Sequence, residues 1–396
     1  MPEPPAALDG LVVADFTSHI AGPYATKVLA DLGARVVKVE RPGGDPARSL
    51  APFLNDEPGP ERSATYQFLN TNKQSVVLDL KSPSDRDAAY RLAARADLVV
   101  TSFPPAVAER LGMEPRGLQE RTGTSVVAIT NFGPAGPYRD YRLSDTTLFA
   151  MGGEMFSHGT ADREPLKLGG TAALLQCGAM AAVAALGAVH ASELHVVSQV
   201  VDVPLLDVQI NSVDRRSSCI MAWRFSGRVQ ERPAASGAGI SGGIYPVADG
   251  YVEVTAAFGN YWQRFVEMID ADELRDPRFS DPMFLMTPEA KEIADAIVYP
   301  WMLSRTRLEI WAEARRVRAM VAPLFTGIDV YNDPVFRERG LWTEIEHSVL
   351  GKVPMLGRPY TLEKTPWRIR WPAPLLGEHT HSVLAEIGRE PTEAPA

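Results

Sequence analysis

The sequence is poor in cysteine. Among its 396 residues only Cys177 and Cys219 are cysteines, and they form neither a CxxC pair nor part of a Cys/His cluster with metal-ligand spacing. This argues against a disulfide framework and against a structural zinc site, and it is typical of a reducing compartment. We therefore expect a cytoplasmic protein with no metal.

Net positive charge is also lacking. Lysine and arginine together number 40 against 49 aspartate and glutamate residues, so the formal net charge is −9. Binding to nucleic acid or to an anionic membrane surface needs clustered cations in net excess. We expect neither partner, and any anionic ligand must be met by a local group of arginines.

Targeting and membrane segments are not evident. The first ten residues, "MPEPPAALDG", have neither a basic stretch nor an apolar core, so no signal peptide is expected. The one long apolar run, "AALLQCGAMAAVAALGAV" at 172–189, is rich in alanine and glycine and contains Gln176. It favours a buried core helix over a membrane span.

Common catalytic motifs are missing as well. The first strand-to-helix turn, "TSHIAGP", has no GxGxxG fingerprint, and the chain has no Walker loop, GxSxG elbow or HExxH motif. The turn at Gly43 and Gly44 follows a strand without opening a clear helix. Alone it fits either a plain turn or a contact to phosphate.

What the chain does have is an alternation of apolar strands and helices. Strands are predicted at the segments "LVVADF" (11–16), "ARVVKVE" (34–40), "SVVLDL" (75–80), "DLVVT" (97–101), "SVVAIT" (125–130) and "VVSQVVDV" (196–203). Helical patterns separate most of them. This pattern predicts an α/β fold with a parallel sheet covered on both faces. The loop-like stretch 226–243 then predicts a domain junction, followed by a hairpin and helices of a smaller α/β unit.

Several motifs occur in the order seen in one known family. They are "LDGLVVADFTSHIAGPYATKVLADLGARVVKVERPGGDPAR", "NTNKQSVVLDLKSP", "ADLVVTSFPP", "AERLG", "ITNFGPAGPY" and "PLLGEHTHSVLAEIG". With these the chain resembles the family III coenzyme A transferases, which include formyl-CoA and carnitine CoA transferases and the related 2-methylacyl-CoA racemases. The match covers nearly the whole chain.

The resemblance implies a domain plan and an assembly. It implies a Rossmann-like large domain with a smaller inserted α/β domain, and an interlocked homodimer. The expected parts are 1–224 for the large domain, 225–330 for the small domain, and 331–396 for the return linker and the C-terminal part of the large domain. The loop "SGAGISGG" at 236–243 resembles the family's active-site lid, although an interdomain linker explains it equally.

The resemblance also implies a ligand, the coenzyme A of an acyl-CoA substrate. Carried over by motif, Arg41 would flank the adenine and Leu78 would wall it, while Arg110 matches a phosphate-binding arginine. Ser102 and Phe103 stand where the family usually has an Asn-Phe pair at the CoA site. Arg142 stands where the family often has a basic residue. A planar guanidinium can both stack on adenine and make forked bonds to phosphate.

The family's catalytic aspartate has no counterpart. Its place, four residues before Gly178, is held by Leu174, and no Asp or Glu lies between Glu164 and Glu193. The His and Asp of the racemases would fall on Ser144 and the same Leu174. We take Asp145 as the candidate catalytic residue, with a structural role as its alternative. The other polar or nucleophilic candidates are Cys177, Glu154, His158, Gln176 and His19.

Three functions remain open. The first is transfer of CoA from an acyl-CoA donor to a carboxylic acid. The second is another acyl-CoA reaction, an isomerase, racemase or lyase. The third is a catalytically silent CoA-binding protein. The sequence names neither the acyl donor nor the acceptor.

Overall fold

The computed structural model describes residues 4–211, 215–229, 231–232, 243–256 and 260–388. These residues form an α/β protein with two compact units. The larger unit takes in the chain up to Met155, Lys167–Val229 and the chain from Val335 onwards. The smaller unit takes in Phe156–Leu166 and Gln230–Pro334. The predicted lid loop lies outside the described residues except for Gly243.

The strands and helices alternate along most of the chain. The strands are β1 Val12–Phe16, β2 Arg35–Glu40, β3 Lys73–Val77, β4 Leu98–Thr101, β5 Ser125–Thr130, β6 Val200–Pro204, β7 Gly243–Val247, β8 Gly250–Thr255, β9 Met320–Pro323, β10 Trp342–His347 and β11 Gly351–Leu356. The helices are α1 Ala21–Asp31, α2 Ala64–Leu69, α3 Pro83–Ala94, α4 Pro105–Leu111, α5 Pro115–Thr122, α6 Asp145–Met151, α7 Glu154–Ser157, α8 Ala172–His195, α9 Leu205–Asn211, α10 Arg215–Ser226, α11 Tyr261–Ile269, α12 Pro282–Leu285, α13 Pro288–Leu303, α14 Arg307–Val317, α15 Gly327–Asn332, α16 Pro334–Glu338 and α17 Thr380–Glu386.

The large unit is built on a six-stranded sheet with the order β3-β2-β1-β4-β5-β6. Every strand pair in it is parallel. The predicted parallel sheet is therefore confirmed. The chain winds outwards from β1 in one direction to β3, and then in the other direction from β4 to β6. In such sheets, ligands bind beyond the carboxyl ends of the strands where the order reverses, here between β1 and β4.

Two strand predictions were wrong in position. The strand predicted at 75–80 runs over Lys73–Val77, because the chain turns at Asp79, whose carboxylate accepts the Lys81 N–H. The strand predicted at 196–203 begins only at Val200, because Val196 still caps α8 in a left-handed conformation. Both predictions were wrong because apolar residues continue beyond the end of each strand, so that the sequence pattern alone does not show where the strand begins or ends.

The edge strand β3 is covered by the end of the chain. The His379 N–H donates to the Ser75 carbonyl at 2.9 Å, and the Val77 N–H donates to Thr380 Oγ1 at 3.1 Å. The C-terminal segment thereby satisfies backbone groups that an open sheet edge would leave unpaired.

Helix α8 is the apolar run found in the sequence. By length and composition alone it could cross a membrane. In the structure it packs against α1, with Ala173, Leu174, Cys177 and Ala181 in the main core of the large unit.

The smaller unit has its own core. Strands β7, β8 and β9 form an antiparallel sheet, so the hairpin predicted in this region is confirmed. Helices α13 and α14 pack against it and α11 packs against α14, and the buried core of this unit includes Trp262, Phe265 and Phe279.

The packing of α1 against α8 depends on Gly178. A Cβ at this position would lie 2.5 Å from the Ala21 carbonyl oxygen and 3.1 Å from Tyr24.

We predict that Gly178→Ala lowers the free energy of unfolding by about 1–3 kcal/mol, the usual cost of overpacking. The matched control is Gly187→Ala on the same helix, where a Cβ would meet no atom within 4 Å. It should leave the protein unchanged or more stable by up to about 1 kcal/mol. Denaturant unfolding of both variants measures the difference, and equal stabilities would contradict this account.

Candidate functional site

A cleft of about 620 Å³ opens at the carboxyl ends of β1, β2, β3 and β4. It is lined by residues 16–18, 39–46, 78–81, 102–104, 107, 110 and 111. These segments are the loops that follow four neighbouring parallel strands, together with part of α4. The cleft therefore lies where the strand order reverses, the usual ligand position in this architecture. Its volume is within the range of roughly 300–1,000 Å³ that is typical of small-molecule sites.

The structure brings together most of the residues predicted to bind CoA. Five of the six line this cleft: Arg41, Leu78, Ser102, Phe103 and Arg110. They come from four separate segments of the chain, so their meeting is a result of the fold. The sixth, Arg142, is exposed in the loop before α6 and does not line the cleft. Its contact with CoA stays a prediction.

Arg41 is held at the rim by the glycine turn. Its Nε donates to the Gly44 carbonyl at 3.1 Å, and the Gly44 N–H donates back to the Arg41 carbonyl at 2.8 Å. Gly43 and Gly44 have φ angles of 86° and 83°, which side-chain-bearing residues rarely adopt. A Cβ at Gly44 would also come within 2.7 Å of Arg48. Among the described residues none accepts a hydrogen bond from the two terminal nitrogens of Arg41.

Two more cations border the cleft. Arg110 lies on α4 and is exposed. Lys81 follows the turn after β3 and is likewise exposed, and sequence reasoning missed it. The signal was present as the lysine in "VVLDLK", three residues after Leu78. Neither side chain forms an ion pair within the described part of the chain.

The loops after β1 and β4 are joined across the cleft floor. The Ser18 N–H donates to Ser102 Oγ at 2.9 Å. Phe103, the next residue, packs its ring against the core on the α3 side of the sheet. Ser102 thus links the loop after β4 to the loop after β1 by a hydrogen bond.

Leu174, which the motif resemblance predicts to stand in place of the family aspartate, has a buried apolar side chain. It is the third residue of α8, and only 5% of it is exposed. It belongs to the same core cluster as Ile20, which precedes α1, and Ala21, the first residue of α1. The side chain at this position therefore offers no nucleophile.

Asp145 lies directly beside that position. It opens α6, whose N-cap is Ser144, and its Oδ1 accepts the Leu174 N–H at 3.3 Å. Its Oδ2 forms an ion pair of 2.9 Å with Lys167, whose Nζ also donates to the carbonyls of Leu168 and Gly170 at 2.7 Å. The fold thus brings a carboxylate to the amino end of α8, although Asp145 does not line the cleft. Sequence reasoning did not single out Lys167.

Cys177 is unsuited to carry an acyl group. Its thiol is buried and contacts the Leu205 carbonyl at 3.5 Å. Burial, and to a smaller extent the charge of Asp145, raises the pKa of the Cys177 thiol to about 12. The reactive thiolate is therefore rare near neutral pH.

The remaining candidates lie elsewhere. None of Glu154, His158, Gln176 and His19 lines the cleft. Glu154 is buried in α7, whereas the side chains of Gln176 and His19 are exposed. His19 is notable for its backbone, which has a φ of 73°.

A second cleft, of about 450 Å³, opens at the opposite ends of β2 and β3. Arg35, Gln74, Arg370 and Trp371 are among the residues that line it. None of the residues predicted to bind CoA lies there.

Comparison with known proteins decides the family. The sequence profile described as CoA-transferase family III matches residues 8–380. The chain belongs to CoA-transferase family III. This places it among enzymes that transfer CoA from an acyl-CoA to a carboxylic acid, as the resemblance of its motifs implied.

Two curated relatives of this CoA-transferase match over nearly their whole length. The first is "Succinyl-CoA:(R)-benzylsuccinate CoA-transferase subunit BbsE" of Thauera aromatica, 28% identical over 95% of this chain and 93% of the relative. The second is "Succinyl-CoA:mesaconate CoA-transferase" of Haloarcula hispanica, 30% identical over 96% of each chain. Both names state a succinyl-CoA donor for those proteins.

A solved structure shares the fold. The crystal structure of a CAIB/BAIF family protein from Brucella suis superposes with a TM-score of 0.85 at 26% identity. The alignment covers 97% of this chain and 100% of the Brucella chain.

Proposed function

We propose that this family III CoA-transferase binds the nucleotide part of an acyl-CoA in the cleft at the carboxyl ends of β1–β4. The observation that supports this most strongly is the convergence of Arg41, Leu78, Ser102, Phe103 and Arg110 on that one cleft. All five residues are predicted from separate sequence motifs, and the fold brings them together.

The charges around the cleft fit an anionic ligand. Two of its carboxylates are already neutralised, because Glu40 forms an ion pair with Arg48 and Asp45 forms one with Lys38. Three cations that line the cleft form no ion pair in the described part of the chain: Arg41, Arg110 and Lys81. Asp79 is the one other carboxylate among the lining residues, so positive charge is in excess there. The phosphates of CoA would supply the missing negative charge. This local surplus exists although the whole chain carries a net charge of −9.

Asp145 is the proposed carboxylate of the transfer step. In this step a carboxylate oxygen attacks the thioester carbonyl, the C–S bond breaks, and the CoA thiolate leaves while a mixed anhydride forms. The CoA thiolate then attacks the Asp145 carbonyl of this anhydride, so that the donor acid leaves as a carboxylate and Asp145 carries CoA as a thioester. The second acid attacks that thioester to give a new anhydride and free thiolate, and attack of the thiolate on the acyl carbonyl of the second acid forms the new acyl-CoA and releases Asp145. Asp145 supports this role by its position at the Leu174 N–H, and Lys167 would have to release Oδ2 before the attack.

A second candidate is a companion subunit that binds CoA without performing the transfer. Leu174 is buried and apolar, and the Asp145 carboxylate is engaged by both Lys167 and the α8 backbone. One relative is itself named as a subunit of its CoA-transferase. On this reading the carboxylate would come from a related chain.

Assembly into a homodimer, interlocked as in the family, and a cytoplasmic location are parts of this proposal. Helix α10 supports a partner surface, since Ile220, Met221, Trp223 and Phe225 are each more than half exposed. Burying such side chains against a second chain would be favourable.

The cleft assignment predicts the effect of removing its arginines. Arg41→Ala or Arg110→Ala should weaken CoA binding by about 1–3 kcal/mol, or roughly 5- to 150-fold in Kd, because each removes a charge-assisted contact. Isothermal titration with CoA measures this. Arg91→Ala is the matched control, because Arg91 is an exposed arginine of α3 that pairs with Asp87 away from the cleft. Unchanged affinity in both cleft variants would refute the assignment.

The role of Asp145 predicts the behaviour of the chain on its own. The purified protein should convert an acyl-CoA and a second carboxylic acid into the new acyl-CoA, and Asp145→Asn should lower kcat by at least about 100-fold with CoA affinity kept. Asp140→Asn, an exposed carboxylate of the preceding loop, is the control. Mass spectrometry of the products measures the transfer.

The same assay separates the two candidates. A wild-type chain that binds CoA but transfers none would reject Asp145 as the nucleophile and favour the companion subunit. Addition of a family member that has the aspartate should then produce more activity than that member shows alone.

A further inference from the structure

Asp45 occupies a special place in the cleft. It lines the cleft, yet only 4% of it is exposed. Its Oδ1 accepts the His19 N–H at 3.0 Å and the Ala47 N–H at 2.8 Å. Its Oδ2 forms an ion pair of 2.8 Å with the buried Lys38 ammonium. One carboxylate therefore bonds to the loop after β1, to the segment after β2, and to the strand beneath them.

The loop after β1 is held in an unusual conformation. His19 has a φ of 73°, a left-handed backbone that non-glycine residues adopt at a cost. The bond to Asp45 Oδ1 is the contact that fixes its N–H. Lys38 reinforces the same loop, because its Nζ donates to the Thr17 carbonyl at 2.9 Å. The neighbouring Ser18 lines the cleft and bonds to Ser102.

The ion pair under this loop stays charged. Burial lowers the pKa of Lys38, but Asp45, Asp15 and Glu40 together raise it further, so that the net pKa lies above its usual value. The ammonium therefore keeps its proton, and the carboxylate beside it remains neutralised within the fold.

We propose that Asp45 is the positioning residue of the CoA cleft. It holds the β1–α1 loop against the Arg41–Pro46 turn, so that Ser18 and Arg41 present their groups to one ligand. This inference rests on the proposed CoA binding and assigns Asp45 no contact with the reacting atoms. Removal of such a residue should weaken CoA binding in addition to lowering the stability of the fold, whereas removal of a buried carboxylate elsewhere should lower the stability alone.

The chain offers a matched control for that distinction. Asp31 forms an ion pair of 2.6 Å with Lys27 in which both side chains are buried, and it also accepts hydrogen bonds from Thr71 and Asn72. None of these residues lines the cleft. Removal of Asp31 leaves the buried Lys27 without its partner, just as removal of Asp45 does for Lys38. Unlike the Asp45 substitution, it changes no residue of the cleft loops.

The test compares Asp45→Ala with Asp31→Ala in the full-length protein, by titration with CoA and by thermal unfolding. We expect both variants to melt at lower temperature. Asp45→Ala should bind CoA at least tenfold more weakly than the wild type, and Asp31→Ala within twofold of it. Asp45→Asn, which retains an acceptor oxygen, should fold and bind with intermediate affinity. It serves as the test if the alanine variant does not fold.

A second substitution examines the strained loop. Glycine adopts a φ of 73° freely, so His19→Gly in the Asp45→Ala background should recover at least threefold in CoA affinity. A purely structural role of Asp45 would not be relieved in this way.

The outcomes are distinguishable. If the wild-type protein does not bind CoA, the proposed function fails. If the wild-type protein binds CoA and Asp45→Ala binds it with an affinity within twofold of the wild type, the positioning role is wrong. Asp45→Asn takes the place of Asp45→Ala in this comparison if the alanine variant does not fold. An equal loss of affinity in Asp31→Ala, or no recovery with His19→Gly, would likewise overturn it.

Discussion

Three buried ion pairs link the strands β1, β2 and β3 of the large unit to one another and to the segment after β2. Lys38 pairs with Asp45, Arg48 with Glu40, and Lys73 with Asp15. All six side chains are at most 1% exposed. Charges of this kind are costly to bury, and loss of one partner leaves the other uncompensated. Lys38 and Glu40 of β2 pair with Asp45 and Arg48 of the segment that follows it, and Lys73 of β3 pairs with Asp15 of β1. The first of these pairs ties β2 directly to a turn that lines the cleft.

The pairs also set the charge of the site. Hydrogen bonds from Arg48 help to hold the pKa of Glu40 down to about 2 against the effect of its burial, so the carboxylate stays ionised. Because the carboxylates of the floor are neutralised internally, the exposed Arg41, Arg110 and Lys81 are available to an outside anion. The buried network thereby connects the sequence of β1–β3 to the chemistry of the rim.

Much of the fold and part of the site could be predicted from the sequence. Apolar strands alternating with helices gave the parallel sheet, and the family motifs selected five residues that the fold brings to one cleft. Other features depend on contacts distant in sequence. Nothing near Asp145 indicates that it meets the Leu174 backbone 29 residues later, or that Lys167 neutralises it. Likewise, charged residues inside strands, such as Lys38 and Lys73, read as exposed positions until their partners are known.

The proposed site for CoA lies at the carboxyl ends of β1–β4. Hydrogen–deuterium exchange of the protein with and without CoA tests it most directly, because it locates the ligand without a substitution. Bound CoA should slow exchange in segments 16–18, 41–46, 78–81 and 102–104, which line the cleft. Protection confined to the opposite cleft, at residues 33–36 and 72–74, would contradict it.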